Sequence, residues 1–161
     1  MTNRIRTAIS ALAIAAGTIV ALPAAAQMVR AQDPQSVLAA MKAGGYSDAT
    51  LGKDGEGDPK ISAKIDGTTF HVYFYNCTGN KACATVQFHA GYDLKKPIKL
   101  ERINEWNRTH RFGRAYVDDE GDPILQMDLD LDDGGVSRLL FIDNLEFWST
   151  VVSKFEQHIG F

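Results

Sequence analysis

Two stretches decide the fold: Phe70-His71-Val72-Tyr73-Phe74-Tyr75-Asn76-Cys77 and Cys83-Ala84-Thr85-Val86-Gln87-Phe88-His89-Ala90. Both alternate with the period of a β-strand. If Cys77 sits directly opposite Cys83, every other pair follows. Phe70 then meets Ala90, Val72 meets Phe88 and Phe74 meets Val86, all apolar. The other face pairs His71 with His89, Tyr73 with Gln87 and Tyr75 with Thr85. A slip of one residue would mix the two sets. The alternation and the cysteines therefore point to the same antiparallel hairpin, with one core face and one polar-aromatic face.

On the N-terminal side, Ile61, Ala63 and Ile65 alternate with Lys60, Ser62 and Lys64, which predicts a half-buried strand. Asp66-Gly67 is a preferred hairpin turn. A dense turn at Lys53–Pro59 separates this strand from a weaker one over Tyr46–Leu51. Ser36–Ala43 carries Val37, Leu38 and Met41 on one side and is stopped by Gly44-Gly45, which predicts a helix. Residues 27–34 read as a linker and 35–161 as one domain.

On the C-terminal side, Pro97–Arg111 is expected to be helical, with a narrow stripe of Leu100, Ile103 and Trp106. Ala115–Val117 is a short strand. Leu125, Met127, Leu129 and Leu131 alternate with Gln126, Asp128, Asp130 and Asp132, a strand with one wet, acidic face. After Asp133-Gly134-Gly135 a helix buries Phe141, Leu145, Trp148, Val152, Phe155 and Ile159. Val136–Phe141 fits either a further strand or the start of that helix. The whole reads as an α+β domain of about five strands in the order α-βββ-β-α-ββ-α. Glu56-Gly57-Asp58-Pro59 and Glu120-Gly121-Asp122-Pro123 each lead into an alternating strand, which suggests one turn design used twice.

The first 26 residues are expected to be an export signal. Arg4 and Arg6 precede the uncharged run Thr7–Leu22, and Pro23 with Ala24-Ala25-Ala26 supplies a cleavage pattern before Gln27. Removing residues 1–26 from the 161 leaves 135, enough for one domain with a real core. The full chain has 17 basic and 20 acidic residues; without Arg4 and Arg6 the balance is 15 against 20, a net −5. Such a domain does not attract nucleic acid through phosphate, and no second stretch is apolar enough for a membrane span. A periplasmic or secreted address also turns a nearby cysteine pair into a structural disulfide. The C-x5-C spacing is wrong for a C-x-x-C redox site.

No catalytic motif is present: there is no nucleophile elbow, phosphate-binding loop, HExxH or dinucleotide fingerprint. No cofactor and no metal are expected. His71 opposite His89 gives two imidazoles where zinc asks for three or four ligands. Asp128-x-Asp130-x-Asp132 lacks both the Gly and the closing Glu of an EF-hand loop. Arg102, Arg108, His110, Arg111 and Arg114 form a basic cluster, read either as an anion site or as dipole compensation with pairing to the Asp118–Asp122 turn. The candidate partner-binding residues are His71, Tyr73, Tyr75, Thr85, Gln87 and His89, with simple packing of that face as the alternative.

The motifs Gly57-Asp58-Pro59, Phe74-Tyr75-x-Cys77, Gln87-Phe88-x-Ala90-Gly91, Ile103-Asn104-x-Trp106-Asn107, Arg111-Phe112-x-Arg114-Ala115-Tyr116, Gly121-Asp122-Pro123 and Gly134-Gly135 occur in this order. Together they resemble the bacterial YbjN family over about Gln35 to Ile159. The resemblance implies a twisted antiparallel sheet with flanking helices, like type III secretion chaperones, often dimeric, so that a homodimer is one assembly it allows. It implies a regulatory role in sensory transduction and supplies no catalytic residues. The expected function is a non-enzymatic periplasmic module that binds an unknown protein or peptide. The alternatives are a hydrolase with dispersed residues and a small-ligand or metal carrier.

Overall fold

The computed structural model describes residues 28–161, so the expected export signal lies outside the described residues. The chain runs β1 (Met28–Val29), α1 (Pro34–Ala43), β2 (Thr50–Lys53), β3 (Pro59–Ile65), β4 (Thr68–Tyr75), β5 (Thr85–Gly91), α2 (Leu100–Thr109), β6 (Arg114–Val117), β7 (Pro123–Asp130), β8 (Val136–Ser137) and α3 (Arg138–Ile159). Six strands form one antiparallel sheet in the order β2-β3-β4-β5-β7-β6. The fold is the expected α+β class, with one strand more in the main sheet than about five.

The β4–β5 hairpin takes the register set by the cysteines: His71 faces His89, Val72 Phe88, Tyr73 Gln87, Phe74 Val86 and Tyr75 Thr85. Cys77 and Cys83 are bonded at its tip. Asp66 and Gly67 both adopt positive φ at the β3–β4 turn, as a two-residue hairpin of matching twist requires. Because β4 and β5 alternate in phase, Phe70, Val72, Phe74, Val86, Phe88 and Ala90 all leave the sheet on one side and are buried. Trp148 of α3 packs on Phe70 and stacks on Phe88, whose ring also meets Phe141. Trp106 of α2 meets Phe155 of α3 edge-on, and α1 lies against α3 and β2. All three helices thus cover the same face.

The two Glu-Gly-Asp-Pro turns share one hydrogen-bond design. Asp54 Oδ1 accepts from the backbone of Glu56 at 3.0 Å and Asp58 at 2.9 Å; Asp118 Oδ1 accepts from Glu120 and Asp122 at the same distances. The Asp54 and Asp118 amides each donate to the carbonyl four residues on at 2.9 Å. Gly57 and Gly121 sit at φ +94° and +92°.

Several boundaries differ from expectation. The weak strand expected over Tyr46–Leu51 is β2 at Thr50–Lys53, and α2 ends at Thr109 rather than Arg111. Residues 27–34 are not a simple linker: Met28 and Val29 pair with Ser137 and Val136, and Val29 and Ala31 are fully buried. That pairing makes Val136–Ser137 a strand. Ser137 then caps α3 by accepting from the Leu140 amide at 3.2 Å, so residues 138–141 are helical. Helix α2 begins at Leu100 rather than Pro97, because the Ile98 amide donates to Gly121 O at 3.2 Å and holds Pro97–Lys99 out of the helix.

Candidate interaction face

Strand pairing carries the polar face of the hairpin across the sheet. One row runs Thr50, Ser62, His71, His89, Gln126, Arg114; the next runs Gly52, Lys60, Tyr73, Gln87, Asp128. A third holds Tyr75, Thr85 and Asp130. The six residues proposed from sequence therefore share one surface, opposite the helices. Eight more in these rows were not singled out for this face: Thr50, Gly52, Lys60, Ser62, Arg114, Gln126, Asp128 and Asp130. Their alternation was readable, but the placement of β7 beside β5 was not.

The face is an ordered polar network. Ser62 Oγ and His71 Nδ1 share a hydrogen bond of 2.9 Å. Gln126 Nε2 lies 3.2 Å from His89 Nδ1, and Gln87 Nε2 donates to Asp128 Oδ1 at 2.6 Å. Tyr73 stands between the imidazoles, edge-on to His71 at 5.7 Å and to His89 at 5.3 Å. Lys60 Nζ lies 5.9 Å from the centre of the Tyr73 ring, within cation–π reach. Among the described residues no helix covers the face, yet Gln87 and Gln126 are only 6% and 7% exposed, shielded by their neighbours on the sheet.

These surroundings shift the titrations in a consistent direction. Burial pushes the His71 imidazole below its ordinary value, and Lys60 adds to the effect. Burial does the same to His89, with a contribution from His71. Burial raises the Tyr73 phenol, with Asp54 adding to it, and raises that of Tyr75, with Tyr73 adding to it. Both histidines are thus favoured neutral and both tyrosines protonated, which suits a hydrogen-bonding surface.

The basic cluster does not pair as expected. Arg102 is held by Glu105 at 3.4 Å and donates to the His158 carbonyl. His110 stacks on Trp106 at 3.8 Å, and Arg111 lies over Phe112. Strand parity turns Arg114 onto the open face, where its Nε is 3.9 Å from Asp128. The carboxylate of Asp118 serves its own turn, and that of Asp122 accepts from the Leu94 amide at 2.9 Å. In the acidic run Asp130 accepts from the Asp132 amide and Asp132 from that of Asp133, while Asp132 also accepts from Gln32 Nε2 at 3.4 Å and Asp128 from Gln87. Among the described residues no group of three or more His, Cys, Asp or Glu is arranged to hold a metal, and no helix is long and apolar enough to cross a membrane.

The fold and this face define an α+β domain with all helices on one side of an antiparallel sheet and a polar-aromatic surface on the other. The chain belongs to the YbjN family, described as "Putative bacterial sensory transduction regulator", whose family model matches residues 33–161. Comparison with curated proteins and with solved structures gives no match.

Proposed function

We propose that this protein is a non-enzymatic interaction module of the bacterial periplasm, exported by residues 1–26, that binds a protein or peptide segment across its open sheet face in a regulatory or stress role. One observation carries the reading. The face left bare by the helices has at its centre a connected array of His71, Tyr73, Gln87, His89 and Gln126, flanked by Lys60, Thr50, Thr85, Arg114 and Asp128. Tyrosine with adaptable amide and hydroxyl groups is the composition of binding surfaces, because its rigid ring supplies contact area at low entropic cost. The cysteine bridge and the pattern of Arg4, Arg6 and Thr7–Ala26 support the exported address. The test is a photo-crosslinking residue at Tyr75 in living cells, with Glu101 on the helical side as the control position. A discrete adduct from position 75 alone is expected. Identical patterns from both positions would remove the reading.

The hydrolase reading has one contact in its favour, the Ser62–His71 hydrogen bond, which has the form of a nucleophile and its base. A base that takes the serine proton becomes an imidazolium. Here burial and Lys60 both oppose that charge. Covalent labelling of Ser62 by an active-site-directed fluorophosphonate, lost in Ser62→Ala, is the result that would promote this second reading.

A further inference from the structure

The open face holds a shallow cavity of about 390 Å³ whose lining includes Tyr75, Gln87, Arg114, Gln126 and Asp128. Gln126 is more than nine-tenths buried, and its Oε1 has no hydrogen-bond partner among the described residues. A buried acceptor left unpaired is costly, so a donor brought within its reach would be favoured. The neutral form of His89 offers Nδ1 as an acceptor to Gln126 Nε2, which directs the amide oxygen away from the ring.

The neighbouring groups say what kind of donor. Asp128 is oriented by Gln87 through one oxygen, and Asp130, exposed like it, follows on the same strand. Tyr75, at the rim, is 45% exposed. Lys60 over Tyr73 is an example on this same face of an aromatic ring taking a cation. Arg114 touches Asp128 only at 3.9 Å, with both side chains more than 60% exposed, and such an ion pair contributes little. An incoming cation can displace it.

We propose that this cavity receives the lysine or arginine side chain of a basic, extended segment of a partner protein. Its charged group would donate to the exposed Asp128 carboxylate and, once Arg114 is displaced and the shielded Gln126 Oε1 is uncovered, to that oxygen; its stem would lie on Tyr75. This rests on the open-face reading above and names the chemistry of the partner. The acidic balance of the chain, 20 acidic against 17 basic residues, favours the same encounter.

The test is fluorescence anisotropy on the full chain with a labelled six-residue peptide alternating threonine and arginine, beside counterparts carrying glutamine or glutamate for arginine. The arginine peptide should bind at least tenfold more tightly than either counterpart. Asp128→Asn should weaken it about tenfold, as loss of a charge-assisted hydrogen bond implies. Gln126→Met should weaken it several-fold and Arg114→Gln should tighten it. Asp143→Asn, an exposed acid on α3, should change nothing; circular dichroism checks that each variant is folded. Equal weakening by Asp128→Asn and Asp143→Asn would mean adventitious polycation binding and overturn the proposal. Equal binding of the arginine and glutamine peptides, lost in Tyr75→Ala, would overturn it while leaving the open-face reading in place. If no peptide binds, the segment crosslinked from position 75 decides. A lysine or arginine there supports the proposal, and a segment without one refutes it. Failure of both peptide and crosslink removes the proposal and the open-face reading together.

Discussion

Gly135 is pressed against the backbone of Val29: a β-carbon on Gly135 would stand 2.1 Å from the Val29 carbonyl oxygen. Gly135 also sits at φ +78°. Gly160 has nearly the same φ, +75°, with nothing within 4 Å of its β-carbon position. The pair separates backbone strain from steric contact. Gly160→Ala should cost about 1 kcal/mol, the strain alone. Gly135→Ala should cost roughly 1–3 kcal/mol more, because the ribbon of Val29 and Val136 must open. Urea denaturation of the two variants measures the difference. Equal losses would show that the β1–β8 ribbon contributes nothing to global stability.

The paired turns give a second prediction. Asp54 and Asp118 each accept two backbone amides through one carboxylate oxygen. Asp54→Ala and Asp118→Ala should each lose about 1–2 kcal/mol, while Asn at either position, which keeps the acceptor, should lose less than half of that. The double alanine variant should be additive, since the turns share no hydrogen bond. Thermal melts of the four single variants and the double one check this. A cost confined to one turn would show that equal geometry hides unequal roles.

The hairpin was legible because three constraints coincide there: the cysteines, the alternation of Val72, Phe74, Val86 and Phe88, and the turn at Asp66-Gly67. The Trp148 helix was legible because its apolar residues recur at helical spacing over several turns. The β1–β8 ribbon was not, since two-residue strands have no periodicity and their partners are distant in sequence. The start of α2 was misjudged because Pro97 is favourable at a helix start, whereas a long-range bond from Ile98 to Gly121 decides the conformation. Half of the open face escaped notice for a related reason. Gln126 and Asp128 read as a solvated strand until β7 is seen to lie between β5 and β6.

The Cys77–Cys83 bridge closes a short loop at the hairpin tip. In the chain-entropy account a loop of this size contributes roughly 2 kcal/mol. Cys77→Ser with Cys83→Ser should lower stability by about that amount and should leave the β4–β5 register intact, because Val72, Phe74, Val86 and Phe88 specify it independently. Chemical denaturation gives the first quantity. Nuclear Overhauser contacts between the Tyr73 and Gln87 strands give the second. Intact mass before and after reduction and alkylation, on protein purified without reductant, should count one bridge; two free thiols would contradict it.

The histidines of the open face set a pH dependence whose sign follows from their environment. Burial lowers the folded values of His71 and His89, with Lys60 and His71 respectively reinforcing it. The unfolded chain therefore binds protons that the folded chain refuses between the ordinary histidine value, about 6.5, and the lowered folded ones. Where the unfolded state holds more protons, stability rises with pH. This contribution is complete above about pH 6.5 and is lost as pH falls through the folded values. Both rings are partly open to solvent, so the effect is modest. The melting temperature should fall from pH 7.5 to 5.5, and His71→Gln with His89→Gln should remove most of that fall. The same protonation gives His89 an N–H at Nδ1, which faces the Gln126 amide nitrogen and turns the amide over. Binding of the arginine peptide should then weaken over the same pH interval in the wild type and not in His89→Gln. An unchanged pH profile in that variant would separate the histidines from the site.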